Sequence, residues 1–175
     1  MAIPQSSVDP FRGKEILVTG GAGFVGSNLV KALLRGEPKK ITVIDNLLSA
    51  ERVNLPERPD VVLLEGSCAD DAILAKAPKP VDYAFHLATY HGNQSSIADP
   101  IADHANNTLT SLKLFEHLKS YAGLTKVVYS SAGCTVAEKT YNDADATTEE
   151  ASVSLYHDSP SQISKLIGEL YGNYY

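Results

Sequence analysis

Tryptophan is absent from this 175-residue chain, methionine occurs once and cysteine twice. Cys68 and Cys134 are too few for a disulfide framework or a four-ligand zinc site, and this cysteine usage points to the reducing cytoplasm. Positive charge is also scarce. Fifteen Lys and Arg stand against 21 Asp and Glu, for a net charge of −6. Without a basic run, nucleic-acid and anionic-membrane partners are excluded as functions. No apolar run approaches the roughly 18 residues that a membrane span needs. The opening "MAIPQSSVDPFRGK" lacks the apolar core of a signal peptide. The five histidines, His86, His91, His104, His117 and His157, have no metal-ligand spacing, so no metal is expected. What remains is an ordinary globular composition, 43% hydrophobic and 21% charged, enough for one domain.

Short apolar runs alternate with helical patterns. Strands are expected at "EILVT" (15–19), "ITVID" (41–45), "VVLLEG" (61–66), "VDYAFHLA" (81–88) and "KVVYSS" (126–131). Helices are expected at 24–36, ending on Gly36 as C-cap, at 70–77, at 99–121 with Pro100 in its first turn, and at 159–175. Ser159 and Pro160 have the residue types for N-cap and N1 of the last helix. Residues 1–13 read as a loose lead-in, and 93–100 and 137–158 as long loops. Strands apolar on both faces and separated by helices imply an α/β domain, a doubly wound parallel sheet in the order 3-2-1-4-5.

The first strand runs into "GGAGFVG", which spaces Gly20, Gly23 and Gly26 as G-x-x-G-x-x-G at the start of a helix. Glycines there make a tight turn, let the backbone approach a pyrophosphate and let helix pack on strand. The helix N-terminus supplies unpaired N–H groups and partial positive charge to the phosphates. Asp45 ends the second strand, 19 residues after Gly26, where a carboxylate accepts from ribose hydroxyls and repels a 2′-phosphate. Arg52 is seven positions further and reaches that ribose only by folding back. The expected cofactor is NAD rather than NADP.

With "VTGGAGFVGSNLV", "VIDNLLSA", "AFHLAT", "DPIADHANNTLTSLKL", "KVVYSSAG" and "SPSQISKLIGE" in this order, the chain from about Glu15 resembles the extended short-chain dehydrogenases. Within them it is similar to the NAD-dependent epimerases and dehydratases of nucleotide sugars. The resemblance implies a Rossmann domain over 14–175 and, after the lysine-bearing helix, a substrate-binding domain that this sequence does not contain. It implies that Phe24 and Val25 lie over the pyrophosphate and Asn46 beside the adenosine ribose. Leu87 and Ala88 would face the nicotinamide-side ribose, and Asn107 would lie near the cofactor. Ser67 and Cys68 stand where the family often has an acid for the adenine, leaving that contact weaker or to the backbone. Ser131 would bond the reacting sugar hydroxyl; the register also allows Ala132 there, and Ser131 is preferred. Lys165 would hold the nicotinamide ribose and tune a tyrosine. Helices 99–121 and 159–175 would pair with their copies in a homodimer, through Leu109, Leu112, Phe115, Leu166 and Leu170.

One departure dominates. Four residues before Lys165 the family carries its acid/base tyrosine, and here the residue is Ser161. A serine is shorter and far less acidic, and loss of a general base costs on the order of 10²–10⁴ in rate. Tyr90, Tyr141 and Tyr156 are the tyrosines whose loops border the same cleft, and His91 is a further candidate for substrate contact. Glu149 and Glu150 read as a solvated acidic loop. Three functions follow: an impaired nucleotide-sugar epimerase or dehydratase, a non-catalytic NAD-sensing module, and a ketone reductase of the same fold.

Overall fold

The computed structural model describes residues 4–90, 92–136, 148, 151–153 and 156–175. Five parallel strands form one sheet: β1 (Glu15–Thr19), β2 (Lys40–Asp45), β3 (Val61–Glu65), β4 (Tyr83–His86) and β5 (Lys126–Tyr129). Their order is β3-β2-β1-β4-β5, as the alternation of elements predicts. The central strand shows why. Ile16 and Val18 pack into a core layer with Val30 and Leu33, while Leu17 points into the opposite layer with Leu114 and Leu118. A strand that feeds two cores must be apolar throughout.

The helices are α1 (Phe24–Leu33), α2 (Asp71–Leu74), α3 (Asn93–Ala98), α4 (Pro100–Asp103), α5 (Leu109–Leu118) and α6 (Pro160–Tyr174). α6 starts as expected: the Ser159 hydroxyl accepts from the Gln162 N–H at 3.4 Å, and Pro160 occupies N1. The expected helix 99–121 is instead a series. Asp99 caps α4 by accepting from the Ala102 N–H at 2.9 Å, a wide π-turn spans His104–Thr108, and α5 follows. α3 occupies a stretch expected to be loop, because polar "NQSSIA" lacks an apolar stripe. Strand β4 is shorter than expected and ends at His86: the Leu87 N–H still donates to the Thr19 carbonyl of β1 at 3.0 Å, but the Ala88 N–H goes to the Thr19 hydroxyl at 3.4 Å. The helix after the glycine turn ends in a tighter turn, Leu34–Gly36, and the left-handed residue is Glu37 (φ 52°), not Gly36.

The lead-in is not loose. Val8 is buried, and the Phe11 ring meets Tyr83 edge-on with centroids 5.0 Å apart. At the other edge, β5 leaves Lys126 and Val128 exposed on the α1 side of the sheet.

Candidate functional site

A cleft of about 320 Å³ opens at the carboxyl ends of β1, β2 and β4. That is where parallel sheets bind ligands, at the point where strand order reverses. Its floor is the glycine turn. Gly20 has φ +70°, and a Cβ there would lie 2.6 Å from the Ala88 amide nitrogen. A Cβ on Gly26 would lie 2.1 Å from the Gly20 carbonyl oxygen. The turn therefore closes only with glycine at both positions. Gly23 caps α1 without a side-chain acceptor, so the first-turn amides of the helix face the cleft. Phe24 and Val25 are exposed on its rim.

Asp45 is buried at the end of β2, and backbone fixes both its oxygens. Oδ2 accepts from the Ala22 N–H and Oδ1 from the Leu47 N–H, each at 2.9 Å. Each carboxylate oxygen keeps a further lone pair. Arg52 does not fold back over it: its guanidinium is 3.1 Å from the Glu65 carboxylate. Ser67 and Cys68 line the cleft beyond Asp45; burial first, and then the Asp45 charge, push the Cys68 thiol up to about 12.

Behind the cleft runs a buried polar chain that sequence reasoning missed. Thr19 Oγ1 is 2.6 Å from His86 Nδ1, His86 Nε2 is 2.9 Å from Ser111 Oγ, and Ser111 Oγ donates to the Asn107 carbonyl at 2.7 Å. Because the Ser111 proton goes to a carbonyl, Ser111 accepts from His86 Nε2–H, and Nδ1 accepts from Thr19. Burial pushes His86 down to about 3, so it stays neutral. Asn107 ends this chain. Its Oδ1 accepts from the Tyr90 N–H and its Nδ2 donates to buried Asp103, both at 2.7 Å. The structure thus places Asn107 behind the cleft wall, while its neighbours Asn106 and Thr110 line it.

The remaining site residues surround the end of β5. Ser161, Lys165 and Glu169 lie on one face of α6 at helical spacing. Lys165 is buried and donates to the Ser130 carbonyl at 2.8 Å; burial lowers it to about 8, against the opposing pull of Asp103. Ser131 donates its hydroxyl proton to the Glu169 carboxylate. Ser161 is also buried, with its N–H donating to Ser96 Oγ at 3.2 Å. So Gly20, Gly23, Phe24, Val25, Gly26, Asp45, Asn46, Ser67, Cys68, Leu87 and Ala88 meet in the cleft, whereas Asn107 and Lys165 do not line it. Among the tyrosines, Tyr156 is exposed and Tyr90 partly buried, while Tyr141, His91, Glu149 and Glu150 lie outside the described residues. Tyr129, not anticipated, lies under Lys165 with the ammonium 5.3 Å from its ring centre. Its hydroxyl donates to the Lys165 carbonyl, and burial pushes it up to about 12. Glu169 was findable, being one turn beyond Lys165; Thr19 and Ser111 carry no local signal.

Among the described residues no group of three His, Cys, Asp or Glu could hold a metal, and no helix is long and apolar enough to cross a membrane. Residues 16–175 match the model of the NAD dependent epimerase/dehydratase family. In three dimensions the chain is similar to the Bordetella bronchiseptica enzyme WbmF crystallised with NAD+, with a TM-score of 0.79 and 50% identity over 94% of this chain and 46% of that one. It is also similar to the epimerase Mth375 of Methanothermobacter thermautotrophicus, with a TM-score of 0.85 and 37% identity over 97% of this chain and 49% of that one. The UDP-glucose 4-epimerase of Streptococcus mutans is 28% identical over 147 residues, 82% of this chain and 43% of that protein. The chain thus spans somewhat under half the length of these relatives.

Proposed function

The chain belongs to the NAD dependent epimerase/dehydratase family, and from that premise we propose that it binds NAD in the glycine-floored cleft and forms the cofactor half of a nucleotide-sugar epimerase or dehydratase. The observation that carries this reading is the meeting of the Gly20–Gly26 turn with the backbone-fixed Asp45 at the switch point of the sheet. The residues present fit a dinucleotide. First-turn amides of α1 take the pyrophosphate, and the free lone pairs of Asp45 take the adenosine ribose hydroxyls. Leu87 and Ala88 wall the nicotinamide side, and Lys165 exchanges the Ser130 carbonyl for a ribose hydroxyl. NAD, when bound, supplies reversible oxidation of a sugar carbon.

The proton chemistry is where this chain departs. Ser161 occupies the acid/base position, so cofactor binding survives and turnover is slow. A serine nucleophile would need a base at hydrogen-bond distance; among the described residues the side chains bonded to Ser161 are the Ser96 hydroxyl at its amide and the Ser164 hydroxyl at its carbonyl, neither of them a base. The same substitution supports a second reading, a non-catalytic NAD-sensing module, which predicts no turnover at all. For assembly we propose a cytoplasmic homodimer through the stretches 99–121 and 159–175, where Ile101, Ile163 and Leu170 are exposed. Phe115, named from sequence as part of that face, is buried against Tyr129 instead.

Calorimetric titration with NAD and NADP tests the cofactor assignment. NAD binds more tightly, because Asp45 repels a 2′-phosphate and Arg52 is engaged by Glu65. Equal or tighter NADP binding overturns it.

A further inference from the structure

The Ser131–Glu169 contact has a chemical consequence. A serine hydroxyl carries one proton and two lone pairs, and an ionised carboxylate only accepts. Ser131 gives its proton to Glu169, so its Oγ presents lone pairs to anything that enters beside it. The strand end is anchored through the Ser130 N–H, which donates to the His86 carbonyl at 3.1 Å. Glu169 comes from the same face of α6 as Ser161 and Lys165, two turns beyond the substituted position.

We infer that Glu169 is the terminal proton acceptor for the turnover this chain retains, acting through Ser131. The inference rests on the proposed reading of the site as one that oxidises a sugar alcohol. In the step, the sugar O–H bond breaks as its proton bonds to Ser131 Oγ. The Ser131 O–H bond breaks in turn, and that proton bonds to the Glu169 carboxylate. A bound nicotinamide cofactor would take up the two electrons and the hydrogen of the sugar carbon, which balances the step as oxidation to the ketone. On reduction both protons return by the same path. Glu169 is a positioning residue as well, since without it the Ser131 hydroxyl is free to rotate and donate.

The test uses the complete gene product, with single-turnover rates and dissociation constants for NAD and for a nucleotide sugar. Glu169→Gln still accepts from Ser131 but takes no proton. It lowers the single-turnover rate at least about tenfold, short of the full range for general acid/base groups, and leaves both dissociation constants unchanged. Glu169→Ala is slower still, and added formate restores part of its rate, which lost packing would not allow. In a Ser161→Tyr background Glu169→Gln is nearly silent, because the phenol takes the proton. A Gln variant at the parent rate, an Ala variant that binds NAD yet ignores formate, or a parent with no single turnover each overturn the inference. If instead Glu169→Gln is slow but Ser161→Tyr gains nothing, the relay stands and the proposed reading of position 161 falls.

Discussion

The cofactor cleft and the end of β5 use the same sheet edge but are built by different means. In the cleft the recognising groups are main-chain or fixed by main chain: the amides of α1, and the Asp45 carboxylate clamped by two backbone N–H groups. At the end of β5 they are long side chains from α6, each already engaged: Lys165 with Ser130, and Glu169 with Ser131. The first arrangement is rigid and tolerates little change. The second rests on side-chain contacts, which a single substitution can rewire without disturbing the fold.

The sharpest way to break the cleft side is Gly26→Val. Its Cβ would lie 2.1 Å from the Gly20 carbonyl oxygen, so the turn must open. Expected are a stability loss of about 3 kcal/mol or more, seen in urea unfolding, and no measurable NAD binding. Asp45→Ala is milder. It strands the Ala22 and Leu47 N–H groups, each worth about 1–3 kcal/mol if left unpaired, and titration with both cofactors shows the NAD preference narrowed.

The polar chain behind the cleft predicts an acid limb. His86 sits near 3 when folded and at its ordinary 6.5 when unfolded, so the unfolded state binds the extra proton between those values. Stability is therefore full above about pH 6.5 and falls as pH drops toward 3, and circular dichroism shows unfolding setting in above the carboxylate range. His86→Gln removes that limb. The smallest effect belongs to the exposed helix face: Leu170→Glu, with the parent residue mostly exposed, leaves the fold unchanged and weakens self-association in sedimentation.

The legibility of the two regions differs for the same reason. Glycine spacing and a strand-end aspartate are local signals tied to backbone geometry, so the turn, Asp45 and the sheet order could be read from residue order alone. Asn107 could not. Its carboxamide joins Tyr90, 17 residues away, to Asp103 at the end of α4 across the start of the π-turn, and a widened turn leaves no periodic trace. α3 was missed because its polar face is satisfied by tertiary bonds, such as that from the Ser161 N–H to Ser96. Glu169 was legible only as a position one turn beyond Lys165; its pairing was not, because its partner Ser131 is 38 residues away, past the end of β5.

The central claim is that the cofactor half of the site is intact while its acid/base position is vacated by Ser161. The most direct measurement is the turnover of a nucleotide sugar by Ser161→Tyr against the parent, in the complete gene product and at saturating NAD. The account predicts a gain of at least about a hundredfold, the lower end for restoring a general acid/base group, with NAD affinity unchanged. A parent already at ordinary enzyme rates, or a tyrosine variant that gains nothing, would contradict it.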